Sequence, residues 1–221
     1  QILLGRRYFK DKFGVEPRTA VNLDPFGHTR GLVQILAKSG YTAYLCCRPG
    51  DSQCPLPRDE FVWVGYDGSE VLANRASAHY CSPGGKERAR LEAWLAENPD
   101  GGLAIHLWGV GDHGGGPSRR DLAGLEALRR ERRGLELVHS TPDDYFRELE
   151  AERPSLPRRE KDLNPWAVGC YTSMARVKQG HRRLENELYS AEKMAAAAWV
   201  QGLMAYPREE FEEAMRDLAF V

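Results

Sequence analysis

Three consecutive patterns in residues 20–47 constrain the fold of this chain more than any other feature. A short buried strand is predicted at 20–23 (AVNL), an amphipathic helix at 28–40, and a second strand at 41–47 (YTAYLCC), which is rich in β-branched, aromatic and apolar residues. Gly40 is a suitable end for the helix. A strand, a helix and a second strand in this order form a β-α-β unit, whose two strands are parallel. We therefore expect an α/β fold built on a parallel sheet.

Similar patterns predict further helices and strands along the chain. Asp67-Gly68 is a turn signal inside 60–73, and the alternating residues around it are typical of a hairpin. Ser118 and Asp121 resemble a capping box at the start of a helix. The predicted helices are 2–14, 84–98, 118–134 and a segment that starts at Thr141-Pro142, and the predicted buried strands are 102–111 and 135–140.

A Pro-rich, charged stretch at 153–165 separates two regions of different composition. After it, a long helix is predicted over 170–199, followed by a second amphipathic helix. We therefore divide the chain into an α/β domain at 1–163 and a helical domain at 164–221. One face of the long helix is apolar and needs a covering partner, so self-association as a homo-oligomer is expected. That face consists of Met174, Val177, Leu184, Leu188, Ala191 and Ala195.

Composition argues against several classes of function. A formal net charge of -1 gives no electrostatic basis for a nucleic-acid partner or for binding to an anionic membrane. No apolar run reaches the roughly 18 residues of a membrane span, and no signal peptide is visible. The 5 cysteines lack a C-x-x-C spacing. This favours free thiols in a reducing compartment, the cytoplasm, over a disulfide framework or a cysteine-bound structural zinc.

Two acidic residues, Asp24 and Asp112, come directly after predicted strands. In parallel α/β sheets, reactive groups gather at the carboxyl ends of the strands. Each acid lies close to a histidine, His28 or His113, and beside glycine or proline residues that shape a turn. The pair suits two-carboxylate catalysis, in which one carboxylate attacks or coordinates and the other donates a proton. The alternative for Asp24 is a helix N-cap or a turn former.

The glycines of GDHGGGP (111–117) allow two interpretations. Glycines lose much conformational entropy on ordering, so three in a row favour a backbone that passes close to a ligand, and the alternative is a flexible loop. The spacing matches neither a P-loop nor a dinucleotide-binding motif. Among the other histidines, His106 is predicted to be packed inside a strand and His181 to be exposed. For His79, packing is favoured over a place in a cleft.

Four segments resemble, in the same order, motifs of the family-38 glycoside hydrolases, the retaining α-mannosidases. They are NLDPFGHTRGLVQIL (22–36), GVGDHGGGPSRRDL (109–122), VHSTPDDYFRELE (138–150) and the stretch 169–196, which begins GCYTSMARVK. The resemblance implies part of a seven-stranded α/β barrel with a parallel sheet, followed by the start of a three-helix bundle. It also implies an α-mannosidase that acts on an α-mannoside or a mannose-containing oligosaccharide.

The same resemblance implies roles for residues of this chain. Asp24 would be both a ligand of one zinc ion and the nucleophile, and Asp112 would be the general acid/base. Phe26 resembles an aromatic residue that packs near the sugar, and Arg48 resembles an arginine of the substrate pocket. His113 stands where some members carry a second acid. The residues predicted to bind substrate are Phe26, His28, Arg48 and His113.

The zinc site of the family is incomplete in this sequence. The family's H-x-D-x-x-W motif, which supplies two zinc ligands, does not precede Asp24, and its final F-H-D motif does not follow LAFV (218–221). A lone carboxylate binds zinc poorly. We therefore expect an internal fragment of a bacterial-type enzyme that holds no zinc and is inactive by itself. The alternatives are another two-carboxylate carbohydrate hydrolase or deacetylase, and a non-catalytic carbohydrate-binding or interaction fragment.

Overall fold

The structure is a computed structural model that describes residues 1–76, 79–111, 115–164, 167 and 169–220. Within these residues the chain forms two compact units. The larger unit is Ile2–Val168, and the smaller unit is Gly169–Val221 together with Gln1. No helix in the described ranges combines the length and the apolar composition that crossing a membrane requires.

The larger unit contains a mixed sheet of five strands, in the order β1-β2-β4-β3-β5. The strands β1, β2 and β4 are parallel, which confirms the predicted β-α-β unit. The strand β3 is antiparallel to β4 and parallel to β5, so the sheet is mostly, but not entirely, parallel. The strands are β1 (Thr19–Val21), β2 (Ala43–Cys46), β3 (Glu60–Val64), β4 (Glu70–Arg75) and β5 (Arg158–Arg159).

The predicted hairpin is confirmed. Gly68 has a φ of 82°, which glycine adopts without strain, and the amide of Gly65 donates to the carbonyl of Ser69 across the turn at 2.8 Å. The carboxylate of Asp67 accepts from the amide of Ser69 at 3.0 Å. Because β4 also pairs with β2, this hairpin joins the antiparallel strand to the parallel part of the sheet.

The helices begin and end close to the predicted signals. Ser118 caps its helix by accepting from the amide of Asp121 at 3.1 Å, and Thr141 caps the next by accepting from Asp144 at 3.3 Å. In the larger unit the helices are α1 (Ile2–Phe13), α2 (Gly31–Lys38), α3 (Glu87–Glu97), α4 (Arg119–Glu131) and α5 (Pro142–Leu149), and a 3-10 helix follows at Glu150–Ser155.

Apolar side chains cover both faces of the sheet, because successive residues of a strand point to opposite faces. On one face Trp63 and Tyr44 pack with Val33 of α2. On the other face Val62 and Leu72 pack with α5. The middle strands are therefore buried on both sides, as expected for strands inside an α/β layer.

The strands predicted at 102–111 and 135–140 are wrong, although both segments lie within the described residues. Neither forms a strand, and only Val110 makes isolated bridges, with Ser82 and Gly116. The alternating side chains do pack: Leu103, Ile105 and Leu107 lie against the core cluster that contains α5. Alternation therefore predicted which side chains are inside, whereas a strand also needs a neighbouring backbone to pair with.

The smaller unit contains α6 (Gly169–Thr172), α7 (Ala175–Val200) and α8 (Arg208–Phe220). The long predicted helix is confirmed, but four of the six residues of its predicted apolar face are exposed, including Val177 (52%) and Leu184 (60%). A single neighbouring helix covers only one stripe of α7. The prediction that His181 is exposed is wrong, because its ring is half-buried and its Nε2 contacts the carbonyl of Leu218 at 3.2 Å.

Candidate active site

The carboxyl ends of β1, β2 and β4 lie at one edge of the sheet, because the three strands are parallel. Asn22 extends the pairing of β1 by donating its amide to Leu45 at 2.9 Å, and Asp24 follows two residues later. Arg48 comes just after β2, and Tyr80 follows β4. This is the edge at which ligands of α/β sheets commonly bind.

Asp24 is held at this edge by two side chains. Arg48 Nε pairs with Asp24 Oδ1. The hydroxyl of Tyr80 donates to Asp24 Oδ2 at 3.3 Å. The side chain of Asp24 nevertheless remains 49% exposed. The carboxylate is therefore oriented and at the same time accessible to a ligand.

The alternative that Asp24 caps the following helix is wrong. Helix α2 begins at Gly31, and its N-cap position is Arg30, whose side chain makes no capping hydrogen bond. The amide of Arg30 donates instead to the carboxylate of Asp162 at 2.5 Å. Asp24 therefore does not cap α2, and it stays at the edge of the sheet.

His28 lies behind the site and not on its surface. It is 3% exposed, Nε2 lies 2.8 Å from the carbonyl of Arg48, and Nδ1 contacts the hydroxyl of Tyr44. A carbonyl can only accept, so Nε2 carries the proton and Nδ1 accepts from Tyr44. Burial lowers the pKa of His28, so the ring is held neutral. We therefore replace the predicted substrate contact of His28 with a positioning role.

The residues between Asp24 and His28 are fixed by the segment at 163–164. His28 and Leu163 exchange backbone hydrogen bonds of 3.1 and 3.0 Å. Gly27 has a φ of 137°, and a Cβ there would overlap the side chain of Asn164, so only glycine fits. Phe26, which precedes it, keeps 38% of its surface exposed and can face a bound sugar.

The segment that leads to Asp112 also starts at this edge. The amide of Ser82 donates to the carbonyl of Gly109 at 2.7 Å. A Cβ on Gly111 would overlap the Cβ of Cys81, which follows Tyr80. The structure therefore brings the residue before Asp112 beside the residue after Tyr80. Asp112 and its neighbour at 113 lie outside the described residues.

The prediction that His113 binds substrate likewise falls outside the described residues. The described glycines of this loop have another explanation than a ligand. A Cβ at Gly115 would overlap the carbonyl oxygen of Val110, and the amide of Val110 donates to Gly116 at 2.9 Å. The close backbone approach is therefore present at these positions, but the neighbour is the chain's own backbone.

Sequence reasoning missed Tyr80 as a neighbour of Asp24. Its place just after β4 is the signal that could have identified it, but the prediction at strand ends rested on acidic residues alone. His79 is exposed and stacks on Tyr80 at 4.2 Å, and its Nδ1 lies 3.1 Å from Cys81 Sγ, so the predicted packing role is wrong. His106 is packed as predicted, although not in a strand, and its Nε2 contacts Glu87.

The described residues do not fit a zinc ion by themselves. They contain no group of three or more His, Cys, Asp or Glu side chains that could hold a metal. Zinc sites in proteins use three or four protein ligands in a tetrahedral arrangement. Asp24 supplies one carboxylate, and one of its oxygens is paired with Arg48. The described residues alone therefore do not complete a zinc site.

A mostly parallel sheet with an accessible, oriented carboxylate at the carboxyl ends of its strands is an arrangement typical of α/β enzymes. The chain belongs to glycosyl hydrolase family 38. Residues 1–169 match the family model for the glycosyl hydrolases family 38 N-terminal domain, and residues 166–221 match the alpha mannosidase middle domain. The resemblance seen in the motifs is thus confirmed.

Individual relatives agree with this assignment. The chain is 30% identical to Alpha-mannosidase 2C1 of Homo sapiens over 223 residues, which cover 98% of this chain and 21% of that protein. It is 29% identical to Alpha-mannosidase G of Dictyostelium discoideum over 207 residues, which cover 89% of this chain and 18% of that protein. The chain therefore spans about a fifth of the length of these curated relatives.

A solved structure shows the same fold. The crystal structure of an alpha-mannosidase from Enterococcus faecalis V583 superimposes with a TM-score of 0.69 at 23% sequence identity. The match covers 98% of this chain and 26% of that chain. At this identity the likeness concerns the fold, and the mixed α/β architecture is the conclusion that it supports.

Proposed function

We propose that the full-length protein containing this chain, called here the parent protein, is an α-mannosidase that hydrolyses α-mannosides or mannose-containing oligosaccharides. The family assignment supports this substrate class, and the relatives bear the name alpha-mannosidase. The observation that carries the proposal is the Asp24 carboxylate, which Arg48 and Tyr80 orient at the sheet edge while 49% of the side chain stays exposed.

In this mechanism Asp24 is the nucleophile of a retaining hydrolysis. A carboxylate oxygen attacks the anomeric carbon, the glycosidic C–O bond breaks, and the leaving oxygen takes a proton from the general acid, for which Asp112 is our candidate. Water then attacks the glycosyl ester, and Asp112 accepts its proton. Retaining pairs of carboxyl groups lie about 5–5.5 Å apart, which is the separation we expect between these two residues.

Arg48 and Tyr80 have distinct tasks in this proposal. The Nε of Arg48 forms an ion pair with one oxygen of the nucleophile, and the Tyr80 hydroxyl donates to the other. Holding both oxygens keeps the carboxylate in one orientation, and such preorganisation lowers the cost of reaching the transition state. Phe26 offers an apolar surface beside them for the face of the sugar ring.

The seven-stranded barrel, the three-helix bundle and the zinc ion remain proposals for the parent protein. Asp24 would supply one zinc ligand, and the described residues contain no group of three that could hold a metal. We further propose that the 221-residue chain is inactive by itself, because the residues that the structure describes do not complete that site. The 5 cysteines are free thiols, which supports a reducing location such as the cytoplasm.

The proposal is tested by hydrolysis of aryl α- and β-mannosides with the purified parent protein. We expect turnover of the α-mannoside alone, and NMR of the first product formed should show the α-anomer of mannose. Binding of mannosides without any turnover would overturn the enzymatic proposal and support a binding protein. Release of the β-anomer first would instead overturn Asp24 as a nucleophile.

A further inference from the structure

The loop that follows β2 carries Arg48 and runs to Cys54 without a strand or a helix. An arginine on such a loop has many conformations, and an ion pair that is partly exposed is weak because ordering two side chains costs entropy. Arg48 nevertheless pairs with Asp24. Two buried side chains beneath the loop explain why this pair is held together.

Two buried side chains hold consecutive carbonyls of this loop. His28 donates to the carbonyl of Arg48 at 2.8 Å, and its own orientation is fixed by the hydroxyl of Tyr44. Arg75 donates to the carbonyl of Pro49 at 3.3 Å. His28 is 3% and Arg75 is 4% exposed, so neither side chain is available to a substrate.

Arg75 is fixed as firmly as His28. It is the last residue of β4, and its guanidinium also donates to the carbonyl of Cys54 at 2.6 Å. It forms ion pairs with Asp59 at 3.0 Å and with Asp51. A buried guanidinium is stable only when its donors have partners, and here these partners include both ends of the loop.

From this geometry we propose that His28 and Arg75 form a clamp on the Arg48-Pro49 backbone that positions the Arg48 guanidinium against Asp24. The proposal rests on the proposed function of Asp24. His28 and Arg75 are positioning residues, since they act through Arg48 and touch no substrate. Supporting groups of this kind decide whether a site is held tightly enough for catalysis.

A double-mutant cycle in the parent protein separates positioning from mere stability. His28→Leu removes the donor to the Arg48 carbonyl, and Arg48→Ala removes the group that is positioned. We expect His28→Leu to lower kcat on an aryl α-mannoside about tenfold in the wild-type background and less than about twofold in the Arg48→Ala background. Equal losses in both backgrounds would overturn the clamp.

Two further variants sharpen the cycle. His28→Gln can still donate to the carbonyl, so it should restore most of the kcat that His28→Leu loses. His106→Leu is the matched control, because His106 is also partly buried and burial also lowers its pKa, but its partner is Glu87. We expect His106→Leu to lower the melting temperature without any coupling to Arg48.

The clamp remains testable when one variant fails. Should His28→Leu not fold, Arg75→Lys enters the same cycle, because lysine keeps the charge but cannot reach the several acceptors of the guanidinium. Should the wild-type parent protein not hydrolyse α-mannosides, the proposed function fails. The clamp is then tested by crystal structures of His28→Gln and of whichever clamp-deficient variant folds, His28→Leu or Arg75→Lys. Displacement of Arg48 from Asp24 in the deficient variant alone is expected, and an unmoved pair would overturn the clamp.

Discussion

Two carboxylate–arginine clusters lie at the same edge of the sheet, and they differ in how far water reaches the carboxylate. Asp24, after β1, pairs with Arg48 and keeps 49% of its side chain exposed. Glu60, the first residue of β3, pairs with Arg58 at 2.8 Å and keeps 11% exposed. Because β3 is antiparallel to β4, its first residue lies where the parallel strands end.

The carboxylate of Glu60 is surrounded by donors from the protein. Besides Arg58, Asn74 Nδ2 donates at 3.2 Å and the hydroxyl of Tyr145 donates at 3.1 Å. Burial, together with the negative charge of Glu60, raises the pKa of Tyr145, so its hydroxyl stays protonated and remains a donor. This cluster ties β3, β4 and α5 together and presents little to a ligand.

Residue types alone therefore do not define a site. A buried carboxylate with donors on every side is a structural element, whose loss leaves polar partners unsatisfied. A carboxylate that neighbouring side chains orient, but that stays exposed to solvent, can react with a ligand. The following experiments test whether Asp24 and Glu60 differ in this way.

The largest effect is expected for Asp24→Asn in the parent protein. Loss of a covalent nucleophile should lower kcat on an aryl α-mannoside by at least about 10⁴-fold, while the melting temperature stays within error because the side chain is half-exposed. The matched control is Asp67→Asn in the hairpin turn, which should leave kcat unchanged. Full activity of Asp24→Asn would end the assignment of a catalytic role.

Glu60→Gln should show the opposite profile. Removing the charge weakens the pairing with Arg58 and disturbs the hydrogen bonds to Asn74 and Tyr145, so the free energy of unfolding should fall by about 2 kcal/mol. Urea unfolding measures this, and kcat per folded molecule should change little. Glu126→Gln, at an exposed carboxylate paired with Arg129, serves as a control without a measurable stability change. A loss of kcat with an unchanged free energy of unfolding would contradict the structural role of Glu60.

Tyr80→Phe removes the hydroxyl that lies 3.3 Å from Asp24 Oδ2. A neutral hydrogen bond contributes about 1 kcal/mol, so kcat should fall about fivefold. The melting temperature should not change, because the ring and its stacking on His79 are kept. Steady-state kinetics on the same aryl mannoside measures the change. An unchanged kcat would remove Tyr80 from the site.

The smallest effect is a pH dependence of stability that comes from His28. Burial lowers its pKa in the folded state below the ordinary 6.5, so the unfolded chain binds the proton more readily. The contribution of His28 is therefore fully present above about pH 6.5 and is lost as the pH falls through the folded pKa. Urea unfolding from pH 5 to 7.5 should show a smaller slope for His28→Gln than for the wild type. Identical slopes would contradict a buried neutral His28.

Much of the fold follows from local sequence signals. The β-α-β unit and the hairpin were predicted because apolar periodicity and turn residues act over a few positions. The region 102–111 was predicted wrongly as a strand, since its side chains alternate but its backbone has no ladder partner. Pairing depends on residues far away in the chain, which alternation does not encode.

The candidate site likewise combines residues that have a local sequence signal with residues whose roles depend on the folded structure. Asp24 was found because an acid after a buried strand is a local feature, and Arg48 came with the family resemblance. The roles of His28 and Arg75 depend on which carbonyls they meet after folding, so the sequence did not contain a local signal for them. Gly27 has its reason in Asn164, more than a hundred residues away in the chain.

The most direct test of Asp24 as the nucleophile is chemical trapping of the glycosyl ester on this residue. The parent protein is reacted with a fluorinated α-mannosyl fluoride, which forms the glycosyl ester faster than water removes it, and the digested protein is analysed by mass spectrometry. The account predicts one added fluoromannosyl group on the peptide that contains Asp24. A label on any other carboxylate, or turnover without a label under trapping conditions, would contradict it.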